Sequence, residues 1–173
     1  MKPDTMSQTS PDHSHESESN FDLRLAVEID APPERVFELW TTRLSDWWGP
    51  HGMTTRVVAM DLRAGGAFQT VMRTPDGTEI PTRGVFLEVV ANRRIVFTDA
   101  YEPSWKPAPG HFMTAVIDFV PLPGGRTLLA ACARHKSAED RATHEQMGFH
   151  EGWGESFAKL AALARGTRTP PGI

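Results

Sequence analysis

The sequence has little cysteine, no long apolar run and little net charge outside its first twenty residues. Its one cysteine, Cys132, cannot form an internal disulfide, so we expect a reducing compartment and a cytoplasmic protein. No apolar run approaches the roughly 20 residues that span a bilayer, and residues 1–20 lack a secretory signal, so membrane insertion is not expected. Residues 1–20 carry −3 of the net charge of −4, and the nearly neutral remainder lacks the basic surface that nucleic acid requires.

Familiar catalytic and metal-binding motifs are also missing. The chain contains no nucleophile elbow, P-loop, dinucleotide-binding glycine pattern or zinc-protease motif. Cys132 lies in an alanine-rich predicted strand, which favours a buried and unreactive thiol. His144 and His150 lie about 240° apart around a helix. The other histidines of this region lack ligand spacing: His51, His111 and His135. We therefore expect no catalytic residue, no metal and no cofactor.

Composition divides the chain into three regions. Residues 1–20 are polar and serine-rich, and burying so few apolar groups would not offset the entropy of ordering them, so a disordered tail is expected. Residues 21–166 carry the apolar patterning of one folded domain. Residues 167–173 follow Gly166 and contain a proline pair, which predicts a flexible C-terminus.

Alternation and turn signals predict a mainly antiparallel sheet. Residues 21–29 alternate apolar and polar side chains, as a half-buried strand does. Asp30 or Ala31 is expected to cap a helix that starts at the following proline pair, and a second short helical or irregular segment carries Trp47 and Trp48. Six further strands separated by short turns are predicted between Thr54 and the end of this region at residue 135, which favours an antiparallel meander.

One long helix is predicted to close the domain. Ser137 and Asp140 resemble a capping box at its start. At about 100° per residue, seven side chains form one largely apolar stripe. These are Ala142, Gln146, Phe149, Trp153, Phe157, Leu160 and Ala164.

Several segments in this order resemble the SRPBCC (START-like) superfamily. They include IDAPPERVFELW, WWGPHGM, DLRAGGAF and GFHEGWGESFAKLAALA. Within the superfamily, the chain is most similar to the family named after the C-terminal domain of the heat-shock protein 90 ATPase activator. The resemblance implies an α+β helix-grip fold, with a curved antiparallel sheet of six or seven strands around a long C-terminal helix and a cavity between them. The co-chaperone also has an N-terminal domain, where this chain offers only a tail, so chaperone contact is not expected.

The predicted ligand-binding residues are those expected on the hollow side of the sheet and on the inward stripe of the last helix. They are Trp48, Phe68, Met72, Tyr101, Met113, Phe119, Gln146, Phe149 and Trp153. Gln146 is polar on an apolar stripe, so it would need a partner if buried, although exposure near the helix start is an equal alternative. Tyr101 is expected to add a hydroxyl at the rim. The apolar members would equally build an ordinary core.

Three functions are compatible with these observations. The leading hypothesis is binding of a small hydrophobic or amphipathic molecule without catalysis. The second is a cyclase- or hydrolase-like enzyme, which requires two titratable side chains within hydrogen-bond reach inside the cavity; strand residues available for this are Arg73, Glu79, Arg83 and Arg134. The third is an interaction module, either a homodimer or a chaperone partner, for which Trp105 on a proline-rich loop is the relevant feature.

Overall fold

A computed structural model of the chain describes residues 21–166. The predicted disordered tail at 1–20 and the predicted flexible C-terminus at 167–173 lie outside the described residues. No helix within this part of the chain combines the length and apolar character needed to cross a membrane.

Seven antiparallel strands form one sheet, and two short strands form a separate ribbon. The strands are β1 Asp22–Ile29, β2 Thr54–Met60, β3 Ala67–Arg73, β4 Glu79–Val90, β5 Arg94–Thr98, β6 Tyr101–Glu102, β7 Lys106–Pro107, β8 Thr114–Leu122 and β9 Arg126–Arg134. The sheet has the order β1-β9-β8-β5-β4-β3-β2, and β6 pairs only with β7. Neighbours in sequence pair throughout β2–β5 and β8–β9, as a meander requires. The first strand instead pairs with the last.

Four helices accompany the sheet: α1 Pro33–Thr42, α2 Leu44–Trp47, α3 Ala138–Gln146 and α4 Phe149–Arg165. The sheet, the two short helices after β1 and the C-terminal helix confirm the α+β helix-grip prediction. Helix α1 begins at the proline pair, but its N-cap is Pro32, with no side-chain capping bond, rather than Asp30 or Ala31. Its buried residues Val36, Leu39 and Trp40 face the core.

The helix predicted to start at Ser137 is divided into α3 and α4, and the long C-terminal helix itself is α4. Ser137 accepts a hydrogen bond from the Asp140 amide at 3.1 Å and starts α3 as expected. Gly148 then adopts a left-handed conformation with φ 88°, which glycine tolerates and other residues rarely adopt. The break turns the chain, so Gln146 ends α3 as an exposed residue while Phe149 begins the buried face of α4.

The core fills the space between α1, α2, α4 and the sheet, and it includes residues of β4 and β5 as well as of β1, β8 and β9. Trp40, Trp47 and Phe157 are almost completely buried there. The Trp47 indole packs 6.0 Å from that of Trp40 and 6.3 Å from the Phe157 ring, between ring centroids. Trp40 also lies 5.9 Å from the Phe68 ring and 6.2 Å from the Phe97 ring, so the core extends to the middle of the sheet.

Candidate functional site

A cavity of about 270 Å³ lies between β3, β4 and β5 on one side and the helices on the other. Phe68, Thr70 and Met72 share one face of β3, since side chains two residues apart point to the same side of a strand. Gly84 on β4 also lines the cavity, and a Cβ placed there would lie 2.2 Å from the Thr98 carbonyl oxygen. Only glycine therefore fits at this position of the cavity floor.

Five of the nine predicted ligand-binding residues line this cavity: Trp48, Phe68, Met72, Met113 and Trp153. The Trp48 and Trp153 rings meet edge to face, with centroids 5.1 Å apart. Trp47, adjacent to Trp48, is instead in the core. Two adjacent indoles thus serve different layers of the fold.

The other four predicted residues do not line the cavity. Tyr101 lies on the β6–β7 ribbon, where its ring packs against Trp105 with a centroid distance of 6.0 Å. Phe119 is buried against Phe37, because α1 covers this part of β8. Gln146 is the exposed last residue of α3, so its amide meets solvent. Phe149 is buried behind Trp153, with ring centroids 4.9 Å apart, and supports the wall from outside.

A set of hydrogen bonds holds Trp48 in place at the cavity. The Gly49 amide donates to the Ser156 hydroxyl at 3.1 Å, and this hydroxyl donates to the Gly152 carbonyl at 2.8 Å. The Thr55 hydroxyl donates to the Trp48 carbonyl at 2.7 Å. The loop after α2 is therefore fastened to both α4 and β2, and the Trp48 indole is fixed against Trp153.

The threonines of the cavity wall are already paired with protein groups. The hydroxyls of Thr70 and Thr82 lie 2.6 Å apart, and those of Thr98 and Thr114 lie 2.9 Å apart. Such cross-strand pairs satisfy buried hydroxyls without a ligand. Because these hydroxyls are already hydrogen-bonded, the cavity wall offers a ligand fewer free polar groups than its threonine content suggests.

Two charged residues are among those that line the cavity, Arg83 and Asp99. The Asp99 carboxylate accepts hydrogen bonds from the amides of Phe112 and Met113, at 2.9 and 3.2 Å, and from His111 Nδ1 at 3.0 Å. Its role is to hold the segment that carries Phe112 and Met113. Arg83 is exposed and makes no hydrogen bond or ion pair within residues 21–166. Its neighbours Thr82 and Gly84 line the cavity, so the alternation of β4 directs the Arg83 side chain to the opposite face of the sheet.

A buried histidine pair adjoins the cavity, and the spacing rules applied to the sequence did not find it. His135 follows β9 and His144 lies in α3, and His135 Nε2 is 2.9 Å from His144 Nδ1. His135 Nδ1 lies 2.8 Å from the Phe21 carbonyl oxygen. Burial, and to a smaller extent the neighbouring His135, lowers the pKa of His144 from 6.5 to about 4. At neutral pH His144 is therefore an uncharged ring in the cavity wall.

Other cavity residues were also missed from the sequence. They are Ile80, Phe97, Phe112 and Met147. Phe97 follows the alternation of β5, which was the available signal, whereas Met147 reaches the cavity only because the helix breaks beside it. Within the described part of the chain, no three side chains of histidine, cysteine, aspartate and glutamate are grouped to hold a metal ion.

A second depression, of about 940 Å³, lies at the far end of the sheet. Its lining includes Glu34, Glu88, Arg93, Arg94 and Asp118. Arg94 and Asp118 form an ion pair across it at 2.6 Å. An open surface with mixed charges is less suited to a small apolar ligand than a cavity lined mainly by aromatic and other apolar groups.

Comparisons with known proteins agree with this architecture. A model of the family described as Activator of Hsp90 ATPase homolog 1-like protein matches residues 30–165. A comparison with curated proteins finds no match.

Solved structures include several similar chains. A crystal structure of a protein from Nitrosomonas europaea is 37% identical, with a TM-score of 0.80, and the match covers 88% of this chain and 99% of that one. A protein from Mycobacterium smegmatis is 26% identical, with a TM-score of 0.72 and coverage of 87% and 93%. A protein from Silicibacter pomeroyi, 24% identical with a TM-score of 0.62 and coverage of 83% and 97%, shares the fold.

Proposed function

The chain belongs to the Activator of Hsp90 ATPase homolog 1-like protein family, and on this premise we propose that it binds a small apolar or amphipathic molecule in the cavity between β3–β5 and the helices. The observation that carries the proposal is the wall itself. Indole, phenyl and thioether groups surround the space, and the hydroxyls among them are paired with one another. An apolar body would release water there and gain dispersion contacts with the rings.

The size of the cavity limits the ligand. About 270 Å³ lies just below the range of roughly 300–1,000 Å³ that is usual for drug-sized ligands. A bicyclic aromatic or a short acyl chain fits this volume better than a long lipid.

Calorimetric titration with three probes tests the proposal. The probes are 2-naphthol, 2-naphthoate and decanoate. The first two share a naphthalene body and differ in polar group, and the last two share a carboxylate and differ in apolar body. Met72→Trp fills the cavity from β3 and is expected to weaken every probe that binds by at least about tenfold, or about 1.4 kcal/mol. Val58→Trp adds the same side chain at an exposed strand position outside the cavity and is the matched control.

Two results would contradict the proposal. One is the absence of binding heat and of any rise in melting temperature with all three probes. The other is equal binding by the wild type, Met72→Trp and Val58→Trp, which would place the probes elsewhere on the surface.

An enzymatic function is a second candidate, favoured by the His135–His144 pair. A base held in orientation by a second group is an arrangement used in general base catalysis. Only His144 of the two lines the cavity, however, and its low pKa makes it a weak base. Chemical change of a bound probe during prolonged incubation, abolished by His144→Phe, would support this candidate over simple binding.

A further inference from the structure

A chain of hydrogen bonds leads from the backbone of the first strand region into the cavity wall. It runs from the Phe21 carbonyl to His135 Nδ1, at 2.8 Å, and from His135 Nε2 to His144 Nδ1, at 2.9 Å. Both imidazoles are more than nine-tenths buried. The donor and acceptor of each of these hydrogen bonds follow from the Phe21 carbonyl, which is the first acceptor.

A carbonyl oxygen can only accept a hydrogen bond, so His135 must carry its proton on Nδ1. In a neutral His135, Nε2 is then an acceptor. The atom that faces it, His144 Nδ1, must therefore carry a proton and donate. A neutral His144 protonated on Nδ1 has an unprotonated Nε2, which is a hydrogen-bond acceptor.

The surroundings of His144 keep this ring neutral and leave Nε2 without a protein partner. The rings of Phe112, Phe149 and Trp153 lie around it, with centroid distances of 5.1, 5.0 and 6.2 Å. Within residues 21–166, no hydrogen bond reaches Nε2. The charged residues among those that line the same cavity are Arg83, which is exposed, and Asp99, whose carboxylate is held by the following segment.

We propose, building on the proposed cavity binding, that His144 Nε2 is the acceptor for a hydroxyl or N–H group on the ligand, and that His135 is the positioning residue that fixes this polarity. The ligand class is thus an apolar ring or chain that carries a hydrogen-bond donor on its buried end. A ligand carboxylate oxygen at this position would place its lone pairs against the lone pair of His144 Nε2, and the two acceptors would repel each other.

The first test reads the proton positions without any ligand. Two-bond ¹H–¹⁵N correlation spectra of the protein at pH 8 distinguish histidine rings protonated on Nδ1 from rings protonated on Nε2. Both His135 and His144 are expected to carry the proton on Nδ1. A proton on Nε2 of His144 in the wild type would overturn the inference.

The positioning role of His135 has its own readout in the same spectra. In His135→Phe, His144 loses the acceptor that holds its Nδ1 proton, and its proton is expected to move to Nε2. His51→Gln, which removes an exposed histidine that does not line the cavity, is the control and should leave the signals of His144 unchanged. An unchanged His144 tautomer in His135→Phe would overturn the role of His135.

The second test compares two probes of nearly equal shape, 2-naphthol and 2-fluoronaphthalene, of which only the first donates a hydrogen bond. His144→Phe keeps an aromatic ring but removes the acceptor. We expect the substitution to weaken 2-naphthol roughly threefold to tenfold more than 2-fluoronaphthalene, as the loss of one net hydrogen bond requires. His51→Gln should affect neither probe.

The outcomes separate this inference from the proposed function. If both probes bind the wild type and His144→Phe weakens them equally, the acceptor role is overturned and cavity binding stands. If neither probe binds the wild type, both proposals are contradicted. If 2-naphthol alone is weakened, both are supported.

Discussion

The buried His144 makes a prediction about stability and pH that needs no ligand. In the folded protein its pKa is lowered from 6.5 to about 4. Between these two values, the unfolded chain binds a proton at this ring and the folded chain does not. The folded state therefore loses stability as the pH falls from 6.5 to 4, and it loses no more from this ring below pH 4.

The loss in the free energy of unfolding follows from the difference between the unfolded and folded pKa values of His144. At about 1.4 kcal/mol for each pKa unit, the full interval corresponds to about 3 kcal/mol. This is a large share of the roughly 5–15 kcal/mol that stabilises a typical domain. A protein that is stable at pH 7.5 should thus unfold much more easily at pH 4.5.

Urea denaturation followed by tryptophan fluorescence from pH 7.5 to pH 4.0 measures this dependence. His144→Phe removes the titrating ring and should have a curve flatter than the wild type by about 2–3 kcal/mol over this range. His51→Gln removes an exposed histidine and should keep the wild-type slope. Equal pH dependence in the wild type and His144→Phe would refute the reasoning, since the free energy would then come from other groups.

Three further predictions concern the framework of the site. Gly148→Ala forces a side chain into a left-handed conformation and should destabilise the fold by about 1–2 kcal/mol. Gly154 lies inside α4 with open space around it, so Gly154→Ala should stabilise the fold by about 0.5–1 kcal/mol, and thermal unfolding measures both effects. Ser156→Ala removes the hydroxyl that links the Gly49 amide to α4 and should cost about 1–2 kcal/mol, with a red shift of tryptophan emission as Trp48 loosens; unchanged emission would contradict the positioning role of this bond. Burial raises the pKa of the Cys132 thiol, so iodoacetamide should modify native protein at pH 7.5 far more slowly than unfolded protein, and equal rates would contradict this assignment.

The sheet was predictable from the sequence because its signals are local. Alternation along β1 places Leu23 and Ile29 inside and Arg24 and Glu28 outside, and the structure has the same pattern. Short turns then join strands that pair with their neighbours in sequence, and this is sufficient to predict an antiparallel meander. The pairing of the first strand with the last was not predicted, since no local pattern contains it.

The final helix shows where the local pattern was not sufficient. A stripe drawn at about 100° per residue passes smoothly through Gln146 and Phe149. Gly148 lies between them, and its left-handed conformation changes the direction of the helix axis there. A glycine within a helical pattern indicates either close packing or a break, and periodicity alone does not distinguish the two.

Cavity walls and filled core also have the same appearance in a sequence. Phe68 and Phe119 are both inward-facing phenylalanines on strands, yet the first lines the cavity and the second packs under α1. The difference depends on which helix covers each part of the sheet. The His135–His144 contact likewise joins the end of a strand to a helix nine residues later, a relation that follows from tertiary structure and not from ligand spacing.

The pairing of β1 with β9 has a consequence for the order in which the protein folds. These strands lie at opposite ends of the domain sequence, so bringing them together closes a loop of about a hundred residues, and contacts of such long range slow folding. The Phe21 carbonyl, which sets the proton on His135, reaches this imidazole only when that closure is complete. In a folding intermediate with the β2–β5 meander formed and β1 still detached, the floor of the cavity would be present. The proton positions on His135 and His144 would not yet be fixed. Stopped-flow refolding should therefore separate an early phase of apolar burial from a later phase in which a hydroxylated ligand is first recognised.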